Sequence, residues 1–173
     1  QAVSFLEENT KKKFDPEKLR EVIRRENRSM KLYKAYLKEL AEKDIPNDMT
    51  SEMYKLFFTH ILNWTEESEK YFEMLLADAK KIKETNHRIR ILWCHSIPYW
   101  QDSVREIFND SKKYLLLCSD LNFDAIMELD ERKPLRSLAV KLLNNHMNGS
   151  AVHRADKILD MAKSLHAHGV VYF

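Results

Sequence analysis

Apolar residues in the first half of this chain recur every three or four positions, the spacing of one face of a helix. Asp15-Pro16-Glu17 opens the longest such stretch with an Asp cap, a proline at the first helical position and an acid in the first turn. Leu19, Val22, Ile23, Met30, Tyr33, Leu37 and Leu40 then form its apolar stripe. The stretch ends before Asp44-Ile45-Pro46, because a proline disfavours helix at the residue before it. Thr50 is predicted to cap a second helix running to about Leu62, with Met53, Leu56, Phe57, His60 and Ile61 inward. Thr65-Glu66-Glu67 starts a third, with Tyr71, Phe72, Leu75, Leu76, Ala79 and Ile82 on one face. Residues 1–14 read as the tail of a helix. The Tyr and Phe stripe reads as core packing rather than a cofactor box.

After residue 86 the period changes. Ile89–Cys94 and Tyr114–Cys118 are short apolar runs of the kind that form buried strands, and 169–173 is a third. Between them lie helical patterns. Gln101–Asn109 points Val104, Ile107 and Phe108 inward. Leu135, Leu138, Ala139, Leu142 and Leu143 make a face after Pro134, and Ile158, Leu159, Ala162 and Leu165 make another within Ala151–His166. Gly169 is expected to end that last helix. Strand, helix, strand, helices, strand is the order of a parallel sheet with helices on its faces. The expected fold class is α/β and mostly helical. A helical segment over 1–86 is followed by a partial α/β domain over 87–173, with the boundary at Glu84-Thr85-Asn86-His87.

Composition narrows the function classes. Among 173 residues, 29 basic side chains balance 27 acidic ones to a net charge of +2, which is no field for nucleic acid or an anionic membrane. Lys11-Lys12-Lys13 is the longest basic run and reads as solvent decoration. No apolar segment approaches the roughly 20 residues of a spanning helix. No signal-peptide pattern follows Gln1. Two cysteines, Cys94 and Cys118, argue against a secreted disulfide scaffold and for a reducing cytoplasm. Only Gly149 and Gly169 are glycines. Neither a P-loop nor a dinucleotide fingerprint can be written from them, since both need several glycines to let backbone amides reach phosphate.

The candidate chemistry lies at strand ends, because ligands in open parallel sheets bind outside the carboxyl ends of the strands. Cys94, His95 and Ser96 follow the first predicted strand, where they line a pocket or form an ordinary turn. Tyr99 and Trp100 come next and either wall a pocket or pack. Ser119-Asp120 follows the second strand, where an Asp is commonly a helix cap. Ser150, His153 and Arg154 at a helix start could hold an anion; the ordinary reading is a capped helix with a surface arginine. His166 and His168 are two residues apart, whereas facing metal ligands on a helix need a spacing of three or four. No catalytic triad or carboxylate pair can be singled out, and no metal ligands are assigned.

Several of these segments, in order, resemble one family. Phe14-Asp15-Pro16-Glu17-Lys18-Leu19-Arg20-Glu21-Val22-Ile23 followed by Glu26-Asn27-Arg28 is similar to the middle of the 2-hydroxyacyl-CoA dehydratases, the superfamily of 2-hydroxyglutaryl-CoA dehydratase and benzoyl-CoA reductase. So are Arg90-Ile91-Leu92-Trp93 with Ile97-Pro98-Tyr99-Trp100, Asn148-Gly149-Ser150 with Arg154, and Gly169-Val170-Val171-Tyr172-Phe173. The resemblance implies two related subunits, each with an iron–sulfur (4Fe–4S) cluster, and an ATP-dependent activator that delivers one electron. The thioester carbonyl of an (R)-2-hydroxyacyl-CoA then becomes a ketyl radical and the 2-hydroxyl leaves. The family's cluster cysteines fall outside these 173 residues, and Cys94 and Cys118 do not match them. The expectation is therefore an internal fragment that ends just before a cluster loop, holds no cluster alone and is inactive alone. The competing expectation is a noncatalytic helical and α/β interaction or scaffold module.

Overall fold

The computed structural model describes residues 1–83, 87–123 and 126–173. The boundary expected at Glu84-Thr85-Asn86-His87 rests on 84–86, which lie outside the described residues. Among the described residues, seven α-helices and three strands follow in the order α1 (Ala2–Thr10), α2 (Pro16–Glu42), α3 (Met49–Leu56), α4 (Glu66–Lys81), β1 (Ile89–Cys94), α5 (Asp102–Phe108), β2 (Tyr114–Ser119), α6 (Pro134–Asn144), α7 (Ala151–Ser164) and β3 (Gly169–Tyr172). A π-helical turn, Phe57–Ile61, extends α3. The chain is mostly helical, and its three strands form one parallel sheet in the order β2-β1-β3, as the periodicity predicts.

Local chemistry accounts for the helix starts. Asp15 accepts from the Glu17 and Lys18 amides with Pro16 behind it, and Thr65 accepts from the Ser68 amide. Asp48, rather than Thr50, caps α3 by accepting from Ser51.

The sheet is covered on both faces. On one, Leu92, Cys94, Leu115, Leu117 and Cys118 pack with Met30, Tyr33 and Leu37 of α2, Phe72 and Leu76 of α4, and Met161 of α7. On the other, Trp93 and Leu116 pack with Ile97 and with Val104 and Phe108 of α5. Each large side chain buried in these clusters contributes roughly 1.5–3 kcal/mol.

Arg90 of β1 ties the layers together. Its guanidinium donates to the carbonyls of Leu40 (2.5 Å) and Ala41 (3.1 Å) near the end of α2, to Leu165 O beyond α7 (3.0 Å) and to Asp44 Oδ1 (3.2 Å). One buried cation thus satisfies the orphan carbonyls of two helix ends.

Four helical faces depart from the pattern, two of them at a single residue. In α3 and its π turn, Glu52, Lys55 and Thr59 are buried while Phe57 is 42% and Ile61 57% exposed, the reverse of the expected face. The reason is location. The helix lies along the outer edge of β2, where unpaired backbone groups need polar partners. Asn47 donates to Leu116 O (3.1 Å) and Leu117 O (3.0 Å), and Glu52 Oε2 accepts from the Ser119 amide (2.8 Å). Lys55 sends its three protons to Glu52 Oε1 (2.7 Å), Asn47 Oδ1 (2.8 Å) and Tyr36 OH (3.3 Å). Burial works against the Lys55 charge, but Glu52 outweighs it and the pKa is raised.

In α6 the buried residue is Ser137, whereas Leu135, Leu142 and Leu143 are exposed. The helix docks on α2 through the Lys141–Glu26 ion pair, and Ser137 Oγ accepts from the Asp130 amide of the loop that precedes α6. Ile107 of α5 and Leu159 of α7 also face solvent. Gly169 does not end α7; it sits in β3, and His166, with φ 52°, takes the left-handed position.

Candidate functional site

The connections around the sheet create a crevice between β1 and β2. The chain leaves β1 toward α5 on one face and leaves β2 toward α6 and α7, of which α7 lies on the other. Loops that part in opposite directions leave a cleft at the carboxyl ends of the two strands. Register shifts between Ile91/Leu116 and Trp93/Ser119, so β2 carries an extra residue opposite Leu92. Such an irregularity re-aims the next side chains along the strand, here those of Ser119 and Asp120.

Asp120 is fully buried at the floor of this crevice. Its Oδ1 accepts from the His95 amide at 2.8 Å across the gap between strands. Its Oδ2 meets Arg154 Nη2 at 3.1 Å and His146 Nε2 at 3.3 Å. Burial raises the Asp120 pKa, but the hydrogen bonds from His146, the His95 amide and Arg154 together outweigh it, so the carboxyl is held below its ordinary range. Ser119 is the residue that caps the following turn, by accepting from Leu121. Asp120 is thus free of the capping role the sequence suggests, and Arg154 is not a surface arginine.

The rest of the rim is built on these contacts. His95 has φ 73°, a left-handed conformation that costs a non-glycine residue roughly 1–2 kcal/mol. The Asp120 bond to its amide and the Trp93 Nε1 bond to Ser96 O (2.6 Å) hold the turn in place. Ser96 Oγ lies 3.1 Å from His95 Nδ1. The His95 ring stacks on Tyr172 at 5.6 Å, and the Arg154 guanidinium sits over the same ring at 5.7 Å. Arg154 Nε is buried and has no hydrogen-bond partner among the described residues. A cation with a buried, unspent Nε–H, fixed by a carboxylate and an aromatic face, is suited to a carbonyl or phosphate oxygen.

Of the residues singled out in sequence, the structure brings Cys94, His95 and Ser96 together with Asp120 and Arg154. Tyr99 and Trp100 pair edge-on with each other at 5.3 Å and are exposed in the loop beyond. His146 and Tyr172 were not singled out. His146 comes from the turn after α6 and Tyr172 from an apolar run, and no motif links either to Asp120. His168 Nδ1 accepts from the Arg90 amide (3.0 Å) and His166 Nδ1 lies 3.2 Å from Ala41 O, so both rings serve the backbone.

The two thiols are buried and unpaired by any disulfide. Burial, with Asp120 adding to it, pushes Cys94 up to about 12, and burial raises Cys118 well above the usual thiol range. Metal-binding sulfur is thiolate. Among the described residues no group of three or more His, Cys, Asp or Glu side chains could hold a metal ion. A 4Fe–4S cluster wants three or four protein ligands, so the described residues do not fit one. No helix is long and apolar enough to cross a membrane.

Comparison with known proteins places this fold in context. No curated protein and no solved structure matches the chain. A family model, that of the 2-hydroxyglutaryl-CoA dehydratase D-component, matches residues 1–173. The match spans the sheet, the helices on both faces and the Asp120 crevice, and the chain belongs to the 2-hydroxyglutaryl-CoA dehydratase D-component family.

Proposed function

We propose that this chain serves a subunit that eliminates water from an (R)-2-hydroxyacyl-CoA thioester, and that the Asp120 crevice is its contribution to the reaction site. The observation that carries the reading is the family match over 1–173. The crevice supports it with a buried carboxylate that organises two histidines and an arginine at the carboxyl edge of a parallel sheet.

The chemistry explains why such a site is useful. The hydroxyl to be lost sits on the carbon next to the thioester carbonyl, where a departing hydroxide would leave positive charge beside an electron-poor carbon. Adding one electron to the carbonyl reverses that polarity and lets the hydroxyl leave. The one-electron route, a 4Fe–4S cluster, a related second subunit and an ATP-dependent activator belong to this proposal as what the family implies. Among the described residues no group of three or more His, Cys, Asp or Glu side chains could hold such a cluster.

What these residues do is hold the thioester. Arg154 directs Nε–H at the carbonyl oxygen, and its attraction grows as negative charge develops there. Asp120 fixes Arg154 and the His95 turn. The stacked His95 and Tyr172 rings wall the crevice against water, and Cys94 and Ser96 line its end. Tyr99 and Trp100 offer an exposed aromatic pair to the acyl-CoA. The subunit works in the cytoplasm, away from membrane and nucleic acid.

The test uses the complete enzyme with its second subunit and activator. Cys94→Ala and His95→Ala should lower kcat/KM for water elimination more than Cys118→Ala, because Cys94 ends β1 beside Asp120 and Arg154, whereas Cys118 lies toward Glu52 and Lys55 at the sealed edge. Equal, wild-type turnover in all three, with folding intact, would remove the crevice from the reaction and favour a noncatalytic module.

A further inference from the structure

A second concavity lies away from the crevice, between α2, α6 and α7. Its volume is about 1140 Å³, above the usual range for small-molecule sites. Its floor is apolar. Leu37, Met161 and Leu165 are buried there, and Phe123 and Ile126 pack beside them. Its mouth is cationic: four lysines line it against two carboxylates, Glu42 and Asp160. Lys141 is committed to Glu26. Lys34 and Lys38, one turn apart on α2, and Lys157, across the gap on α7, are exposed and have no ion-pair partner among the described residues.

We propose that this cavity binds an anionic amphiphile, a molecule with an apolar chain of several carbons and a carboxylate or phosphate head. The chain lies on Leu37, Ile126 and Met161, and the head meets Lys34, Lys38 and Lys157. The argument is complementarity. An apolar floor of this size gains from excluding water, roughly 25 cal/mol per Å² covered. A neutral apolar ligand would leave the excess positive charge of the mouth to solvent alone. A purely anionic ligand would leave the floor wet. Among the described residues, only His146 belongs to both this cavity and the crevice. The inference does not rest on the dehydratase reading, since it is read by binding with no turnover.

The site carries its own reporters, because Met127 and Met161 line it and the chain's other methionines do not. The chain is labelled with ¹³C at its methionine methyls and titrated with octanoate, octyl phosphate, 1-octanol and coenzyme A. Octanoate or octyl phosphate should shift the Met127 and Met161 signals saturably, and whichever binds more tightly identifies the head as carboxylate or phosphate. 1-Octanol should bind about tenfold more weakly, the sum of a few partly exposed charge contacts. The triple variant Lys34→Gln, Lys38→Gln, Lys157→Gln changes only exposed side chains and should reduce the octanoate and octyl phosphate affinities to that of 1-octanol. The proposal is overturned if neither anionic amphiphile shifts these methyls, if 1-octanol binds equally well, or if the triple variant keeps the preference. It is equally overturned if coenzyme A, which lacks the apolar chain, shifts them with the same affinity.

Discussion

The outer edges of β2 and β3 bound the same three-stranded sheet and are finished in opposite ways. Along β2, α3 and the segment before it lay Asn47 and Glu52 against the free carbonyls and amides, with Lys55, Tyr36 and Asn122 completing a buried polar network. Along β3, Val170 and Tyr172 stand 45% and 66% exposed, and no further strand pairs with this edge among the described residues. Covering a face of a sheet takes apolar side chains; covering an edge takes donors and acceptors. One helix pattern therefore buries opposite faces depending on which part of the sheet it meets.

This difference sets the expected size of mutational effects. The largest belongs to the sealed edge. Lys55→Ala leaves the Glu52 carboxylate buried without its cation and should cost about 3–5 kcal/mol of stability, measured by denaturant unfolding. A cost below about 1 kcal/mol would mean that water enters that edge and the seal is not tight. Asn47→Ala removes a neutral partner of two edge carbonyls and of Lys55, and should cost about 1–3 kcal/mol in the same assay.

The crevice should respond to acid. The folded Asp120 pKa lies below its unfolded value of about 3.9, so its stabilising contribution is present above about pH 4 and is lost as pH falls through the folded pKa. Asp120→Asn should flatten the loss of stability below about pH 4. An unchanged acid limb in that variant would show that the carboxylate's bonds do not contribute. The smallest effect belongs to the open edge. Val170→Lys should change stability by less than about 0.5 kcal/mol and should reduce any self-association seen by light scattering, because a charged edge resists pairing with another chain. A large destabilisation would mean that Val170 is packed rather than exposed.

Much of the fold was legible in the sequence, and the exceptions share a cause. The three strands, the Asp15-Pro16 start of α2, the Thr65 start of α4 and the Phe72–Leu76 stripe came from period and capping, since each depends on nearby residues and on burial against an apolar face. The faces of α3 and α6 did not. Each docks through polar groups, Glu52 and Lys55 in one and Lys141 in the other, and hydropathy assigns such residues to solvent. At the site, Cys94, His95 and Ser96 were visible because they end a strand. Asp120 and Arg154 were visible as a strand-end residue and a helix-start anion site, each with a cap or a surface charge as the more ordinary reading, and nothing linked the two. Their meeting depends on the crossover that brings α7 back over β1, and His146 and Tyr172 join them from segments with no chemical signature of their own.

The central claim is that Arg154, fixed by Asp120, holds the reacting thioester oxygen, and kcat for water elimination in the complete enzyme carrying Arg154→Lys tests it most directly. Lysine keeps a cation beside Asp120 but cannot present an N–H at the position of Nε. The account predicts a loss in kcat of about 100-fold or more, the scale of removing one donor from a developing negative charge, with the unfolding midpoint little changed. Wild-type kcat in a folded Arg154→Lys enzyme would contradict it.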